Sequence, residues 1–186
     1  MNVEKFFIDR KDCLLVIVDF QEKLAKAMKK EVLDKVLKNI IRLNELCKLL
    51  QIPILVTEQY PKGLGETLEE LKNRLNESPI EKICFSCAGE EKFINKLKDF
   101  NRKTVILTGM ETHVCVWQTA LDLVFRDYKV FVPNDAVCSR RKEDWKTGLQ
   151  LVKDAGGVIT CTETLIFQIL KKAGTDEFKK MLEFVK

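Results

Sequence analysis

Three reactive side chains lie at or near the ends of short apolar runs. Asp19 follows the run Cys13–Val18 in the motif VDFQ, and Cys115 follows the run Thr104–Gly109 in TGMETHVCV. Lys82 lies in the short apolar stretch PIEKICFS. A carboxylate, an ammonium group and a thiol can act as base, cation and nucleophile in covalent catalysis. The sequence therefore offers the groups for thiol chemistry.

Cys115 is predicted to lie in or beside the first turn of a helix. Gly109 allows the chain to turn, and the helical pattern begins around Thr112. The helix dipole and the free N–H groups of a first turn favour a thiolate, and the same N–H groups can stabilise an oxyanion. The alternative is a buried structural cysteine, which we expect for the other six of the seven cysteines.

The other two groups allow more than one interpretation. Asp19 has the position of a base at the mouth of a sheet, but a helix cap or a loop acid would fit the same place. Lys82 would ordinarily be a surface residue. If it points into the pocket of Cys115, its charge lowers the thiol pKa and Asp19 can take the proton.

The elements that must position these groups alternate between strands and helices. Short β-branched runs predict strands and apolar residues at helical spacing predict helices. Such alternation indicates parallel βαβ units. We predict an α/β fold: a doubly wound, mainly parallel six-stranded sheet with helices on both faces, in a single domain over residues 1–186. The expected strands are Cys13–Asp19, Pro53–Thr57, Pro79–Phe85, Thr104–Gly109, Lys129–Val132 and Gly157–Cys161, and the main helices are Lys29–Leu50, Gly63–Asn76, Glu90–Phe100, Thr112–Asp127 and Glu143–Ala155.

A sheet of this kind also predicts where the site lies. Ligands bind outside the carboxyl ends of the strands, at the point where the strand order reverses. If the order is the common 3-2-1-4, the first and fourth strands are neighbours. Asp19 and Cys115 then face each other across that point.

Composition excludes several classes of protein. The 186 residues are 46% hydrophobic and 32% charged, with a net charge of only +4 and both signs mixed along the chain. No basic block predicts nucleic-acid binding, and the longest apolar run, Cys13–Val18, is too short to span a membrane. The N-terminal stretch MNVEKFFIDRKD lacks the pattern of a signal peptide. We therefore expect a cytoplasmic protein that binds neither nucleic acid nor a membrane.

Several other features have weaker functional meaning. Cys84 and Cys87 form a Cys-x-x-Cys pair, which is found in redox motifs and in zinc sites, but no second pair stands at zinc spacing. His113, the single histidine, lies two residues from Cys115, and such positions do not face each other on a helix. Motifs for nucleotides are absent. We predict no metal and no cofactor.

Five motifs, in this order, resemble those of the isochorismatase-like cysteine hydrolases, and the resemblance is closest to the isochorismatase-domain-containing branch. It extends from about Cys13 into the C-terminal helices, and its most specific part is GMETHVCV. The motifs are VIVDFQ, EQYPKGLGETL, EKICFS, ILTGMETHVCVWQTALDL and VPNDAVCSR.

The resemblance implies an Asp-Lys-Cys triad, which motif by motif is Asp19, Lys82 and Cys115. It also implies a Rossmann-like parallel sheet, a homo-oligomer and a non-proline cis peptide bond at Met110–Glu111. Members that hydrolyse nicotinamide carry metal-binding histidines after the second strand, and the stretch TEQYP at 57–61 has none. True isochorismatases do not need the cysteine nucleophile. Its presence favours an amide or related acyl substrate.

The leading hypothesis is hydrolysis of a small, non-peptide amide or related acyl compound through a thioester on Cys115. The backbone N–H groups of Glu111 and Cys115 would hold the oxyanion. The residues expected to line the pocket are Phe20, Gln21, Tyr60 and Thr112. Two alternatives remain: a binding or scaffold protein without turnover, and a thiol redox protein that uses Cys84 and Cys87. The resemblance does not explain Cys87.

Overall fold

The structure, a computed structural model, describes residues 3–185 of the chain. The strands are β1 (Cys13–Val18), β2 (Ile54–Gln59), β3 (Ile80–Lys82), β4 (Thr104–Met110), β5 (Lys129–Pro133), β6 (Val137–Cys138) and β7 (Val158–Thr160). The helices are α1 (Glu22–Lys26), α2 (Lys30–Leu50), α3 (Pro61–Leu64), α4 (Glu69–Lys72), α5 (Glu91–Asp99), α6 (Trp117–Phe125), α7 (Lys142–Asp154), α8 (Thr162–Leu170) and α9 (Asp176–Val185).

The central strands are apolar throughout because helices cover both of their faces. All six residues of β1 and all seven of β4 are buried. On one face the core includes side chains of α1, α2, α8 and α9, and on the other it includes side chains of α5, α6 and α7. Cys115 belongs to the second layer. The layers therefore hold β1 and β4 rigidly at the centre of the sheet.

The strand order confirms the doubly wound fold. Within residues 3–185 the strands form one sheet in the order β3-β2-β1-β4-β5-β7, and β6 pairs with the end of β4. Every strand pair is parallel. The first and fourth strands are neighbours, as the 3-2-1-4 order requires. Over the part of the chain that the structure describes, the sheet has seven strands rather than the expected six, because the two-residue β6 is too short for a sequence pattern to reveal.

The helix prediction for Gly63–Asn76 was wrong in its extent. The chain forms two four-residue helices there, α3 and α4, with a loop between them. Gly65, at the end of α3, has a φ angle of 79°, and this left-handed conformation interrupts a right-handed helix. Within residues 3–185, no helix is long and apolar enough to cross a membrane.

Candidate active site

Asp19 stands at the carboxyl end of β1 and is fully buried. Its φ angle of 46° is in the left-handed region, which non-glycine residues seldom adopt and which is more frequent for aspartate than for most. Its N–H donates to the carbonyl of Thr57 at 3.1 Å, and its own carbonyl accepts from Gln21 at 2.8 Å. These bonds fix the backbone that carries the carboxylate.

Lys82 points into the protein rather than to the surface, and its side chain is completely buried. Its Nζ lies 2.7 Å from Oδ2 of Asp19 and 2.6 Å from Oε1 of Gln59. It also donates to the carbonyl oxygens of Cys84 and Phe85 at 3.2 and 3.1 Å. Because oxygen atoms surround the ammonium group, the charge is well solvated by the protein.

Cys115 lies in a π-helical turn, Thr112–Val116, which connects β4 to α6. This confirms its predicted place at the start of a helix. The residue is 6% exposed, and its thiol lies close enough to the carboxylate of Asp19 for the two groups to shift each other's pKa. The structure therefore brings together the three residues singled out in the sequence, with Asp19 between Lys82 and Cys115.

Gly109 explains how β4 can approach β1 closely enough for this contact. Its φ angle is 110°, and a Cβ atom at this position would lie 2.0 Å from the carbonyl oxygen of Val18. Val18 immediately precedes Asp19, and Gly109 begins the motif that leads to Cys115. Only glycine allows both the backbone conformation and the contact.

The expectation of a lowered thiol pKa was wrong. Burial raises the pKa of the Cys115 thiol, the negative charge of Asp19 raises it further, and Lys82 only partly opposes them. A helix start and a nearby lysine were expected to favour the thiolate, but burial and the charge of Asp19 together outweigh them. The resting nucleophile is therefore a thiol that needs a base.

Asp19 and Lys82 form an ion pair inside the protein. Burial raises the pKa of Asp19, while the charge of Lys82 opposes that rise. Burial is the largest single effect and lowers the pKa of Lys82, but the charge of Asp19 and the other interactions of the ammonium group together outweigh it and raise the pKa. Lys82 is therefore a permanent cation at neutral pH, and Asp19 is a stronger base than an exposed carboxylate.

Gln21 and Gln59 brace the ion pair. The side-chain amide of Gln21 donates to the carbonyls of Gln59 and Gly65 at 3.0 and 2.7 Å, and its oxygen accepts the N–H of Gln59 at 2.7 Å. The prediction that Gln21 lines the pocket needs this correction, because its polar atoms are bonded to the backbone. Gln59, which contacts Lys82, was missed, although it ends a strand as Asp19 does.

The other expected pocket residues have different surroundings. Phe20 is fully buried and packs in the core layer that contains α2, so it supports the site from within. Tyr60 is 52% exposed and has a φ angle of 36°, while its N–H donates to the carbonyl of Lys82 at 2.9 Å. Thr112 is fully buried, and no described residue bonds its hydroxyl group.

Glu111 follows the cis peptide bond expected at Met110–Glu111, which the structure contains. Its carboxylate is largely buried and accepts hydrogen bonds from the backbone N–H and the Nε of Arg140, at 3.2 and 2.9 Å. The carboxylate is thus paired with a cation beside the turn that carries Cys115.

His113 makes polar contacts with two other parts of the chain. Its Nδ1 lies 3.0 Å from the hydroxyl of Ser139, and its Nε2 lies 3.9 Å from a carboxylate oxygen of Asp144. These contacts direct both ring nitrogens toward the region of β6 and α7. Within residues 3–185, no three histidine, cysteine, aspartate or glutamate side chains are grouped as a metal site.

The two cysteines of the Cys-x-x-Cys motif have different neighbours. Cys84 is exposed, and its thiol lies 3.8 Å from the carbonyl of Gly89. Cys87 is fully buried, and its Sγ lies 3.6 Å from the hydroxyl of Thr57. The same hydroxyl donates to Oδ1 of Asp19 at 2.8 Å. Cys87 therefore belongs to the surroundings of the triad, whereas Cys84 is at the surface.

The fold and the site define a doubly wound α/β protein with buried Asp, Lys and Cys side chains in contact at the carboxyl edge of its sheet. A family model described as "Isochorismatase domain" matches residues 13–164. "Isochorismatase family protein 1B" of Dictyostelium discoideum is 37% identical over 178 residues, which are 92% of this chain and 85% of that protein. The chain therefore belongs to the isochorismatase family.

Solved structures agree with this assignment. The MAR1 ribonuclease of Caenorhabditis elegans is 35% identical, with a TM-score of 0.89 over 96% of this chain and 92% of that one. The YcaC protein of Escherichia coli, described as an octameric hydrolase of unknown specificity, is 22% identical, with a TM-score of 0.88 over 96% and 90% of the two chains. The fold is that of the isochorismatase-like hydrolases.

Proposed function

We propose that this protein is a cysteine hydrolase that cleaves a carbon–nitrogen or related acyl bond in a small, non-peptide substrate. One observation supports this most directly: the buried carboxylate of Asp19 contacts the ammonium group of Lys82 at 2.7 Å and lies close enough to the Cys115 thiol to raise its pKa. A base thus lies beside a nucleophile, and a permanent cation holds the base.

Acylation begins with proton transfer from Cys115 to Asp19 as the sulfur attacks the substrate carbonyl carbon. The backbone N–H groups of Glu111 and Cys115 hold the oxyanion of the tetrahedral intermediate. Asp19 then gives the proton to the leaving amine, the carbon–nitrogen bond breaks, and a thioester remains on Cys115. Because the raised thiol pKa disfavours a resting thiolate, the proton must move during the attack.

Deacylation uses the same groups in the opposite order. Asp19 takes a proton from water, which attacks the thioester carbonyl. The carbon–sulfur bond breaks, the sulfur regains its proton from Asp19, and the carboxylic acid leaves. Lys82 stabilises the carboxylate form of Asp19, to which the residue returns after each proton transfer. General acid–base catalysis of this kind contributes about 10²–10⁴-fold in rate.

The test is to incubate the protein with a panel of small amides and activated esters and to look for an acyl adduct by intact-protein and peptide mass spectrometry. We expect the adduct on Cys115 and no turnover by Cys115→Ala, while the control Cys161→Ala behaves as wild type. Full turnover by Cys115→Ala would exclude the mechanism. An unreactive Cys115 supports the scaffold alternative, and a reversible Cys84–Cys87 disulfide supports the redox alternative.

A second candidate function comes from the Caenorhabditis elegans protein of similar structure, which is described as a ribonuclease. We predicted no nucleic-acid partner, because the net charge is +4 with the two signs mixed. Incubation with single-stranded RNA decides between a ribonuclease and an amide hydrolase. Cleavage that disappears in Asp19→Asn would replace the amide hypothesis with a phosphodiester substrate.

We further propose that the chain is a single domain over residues 1–186 that assembles as a homo-oligomer. Leu121 and Phe125 on α6 are 42% and 82% exposed, and their spacing of four places them on one face of the helix. The Escherichia coli protein of the same fold is described as octameric. Light scattering after gel filtration should give a mass above that of one chain, and Phe125→Glu should reduce it.

A further inference from the structure

Cys87 is a buried thiol that the reaction proposed above does not use. It begins a short 3-10 turn, Cys87–Gly89, and its surroundings join two parts of the site. Its backbone N–H donates to the hydroxyl of Thr119 at 2.9 Å, and Thr119 lies one helical turn after Cys115. Its sulfur lies 3.6 Å from the hydroxyl of Thr57 on β2. Cys87 thus links the helix of the nucleophile to the strand beside the base.

The hydrogen bonds in this cluster have a defined direction. The Thr57 hydroxyl has a single proton, and an ionised carboxylate only accepts. Thr57 therefore donates to Oδ1 of Asp19, at 2.8 Å. The remaining partner of the Thr57 oxygen is Cys87, so the Cys87 thiol must be the donor. Burial raises the pKa of Cys87 to about 11, and the thiol keeps its proton at neutral pH.

We propose that Thr57 and Cys87 are positioning residues, whose ordered S–H to O–H to carboxylate chain holds Oδ1 of Asp19 and keeps the base ionised. With Oδ1 held in this way, Oδ2 faces Lys82 at 2.7 Å. This inference rests on the proposed function, in which ionised Asp19 is the base that takes the proton of Cys115.

The physical consequence is a pH dependence. Hydrogen bonds to the charged form of a carboxyl group favour that form, so Thr57 lowers the pKa of Asp19 against the effect of burial. Among the described residues, the titratable groups that act on Asp19 are Lys82 of β3, Cys115 of the π-helical turn and Cys87 of the 3-10 turn. Lys82 and Cys87 keep their protons near neutral pH, so the acid limb of Cys115 reactivity reports Asp19.

The experiment measures alkylation of Cys115 by iodoacetamide across pH, with the site located by peptide mass spectrometry. We expect Thr57→Val to move the acid-side midpoint upward by about one pH unit, which slows the reaction about tenfold on that limb. Thr57→Ser should restore the midpoint, and Cys87→Ala should move it in the same direction by less. Thr108→Val is the matched control, because Thr108 is a buried threonine that donates to the carbonyl of Val16.

The outcomes separate this inference from the function on which it rests. If Cys115 reactivity depends on Asp19→Asn and Lys82→Met but the midpoint of Thr57→Val equals that of wild type, the positioning role is refuted and the triad stands. If Asp19→Asn leaves Cys115 reactivity unchanged, both proposals fail. An equal shift in Thr108→Val would show a general packing effect and would also refute the positioning role.

Discussion

Replacing Lys82 by methionine tests the centre of the site most severely. Methionine has a similar length and can fill the space, but it removes the cation 2.7 Å from Asp19. At that distance, an effective dielectric constant of about 20 gives an attraction of about 6 kcal/mol. Removing one partner of a buried pair typically costs about 3–5 kcal/mol. Without the cation, nothing comparable opposes the effect of burial, so the pKa of Asp19 rises further.

The assay has two parts. Asp19 should be protonated near neutral pH in Lys82→Met, so alkylation of Cys115 should slow by about 10²-fold or more. Urea unfolding at several pH values should show the variant least stable, relative to wild type, at neutral pH. The difference should narrow as the pH falls through the raised Asp19 pKa of the variant, because a neutral carboxyl needs no cation.

The control is Lys92→Met, which changes an exposed lysine on α5 and should leave both measurements unchanged. Lys82→Met could instead unfold at the wild-type urea midpoint at neutral pH, with Cys115 alkylated at the wild-type rate. The ionisation of Asp19 would then not depend on Lys82. The account of the base given above would then be refuted.

Two further perturbations test how the site is held. Gly109→Ala places a Cβ atom 2.0 Å from the Val18 carbonyl oxygen at a positive φ. It should lower the free energy of unfolding in urea by about 3 kcal/mol or more. The control Gly174→Ala, with a φ angle of 80° and no atom within 4 Å of the added Cβ, should lower it much less. Gln21→Leu leaves the N–H of Gln59 unpaired and should cost about 1–3 kcal/mol in the same assay, with slower Cys115 alkylation; a wild-type unfolding curve would contradict the bracing role.

The predicted elements that agree with the structure are those with strong local patterns. The apolar run of β1 predicts a strand correctly, because a central parallel strand is buried on both faces. The helical spacing of α2 predicts a helix correctly, because a helix that packs on one face of a sheet buries one side. The same reasoning placed Asp19 and Cys115 at neighbouring strand ends. It missed β6 and the interruption at Gly65, because a two-residue strand and a single left-handed glycine have little periodic signal.

The supporting residues of the site could not be found in this way. Thr57 and Gln59 look like ordinary strand residues, and their roles come from contacts with Asp19 and Lys82, which are distant in the sequence. Cys87 is similar: the motif with Cys84 suggested redox chemistry, whereas packing places its sulfur against Thr57. Such contacts depend on how strands and turns pack against each other, and a local sequence pattern does not predict that packing.

By itself, the sequence determined the fold class, the strand ends that carry the reactive groups and the identity of those groups, because apolar periodicity and residue type are local properties. The tertiary structure alone decided that Lys82 is buried against Asp19 and that Cys115 rests as a thiol. The physical reason is that a pKa depends on loss of solvent and on the distances to neighbouring charges. Both are set only when β1, β3 and the turn after β4 come together.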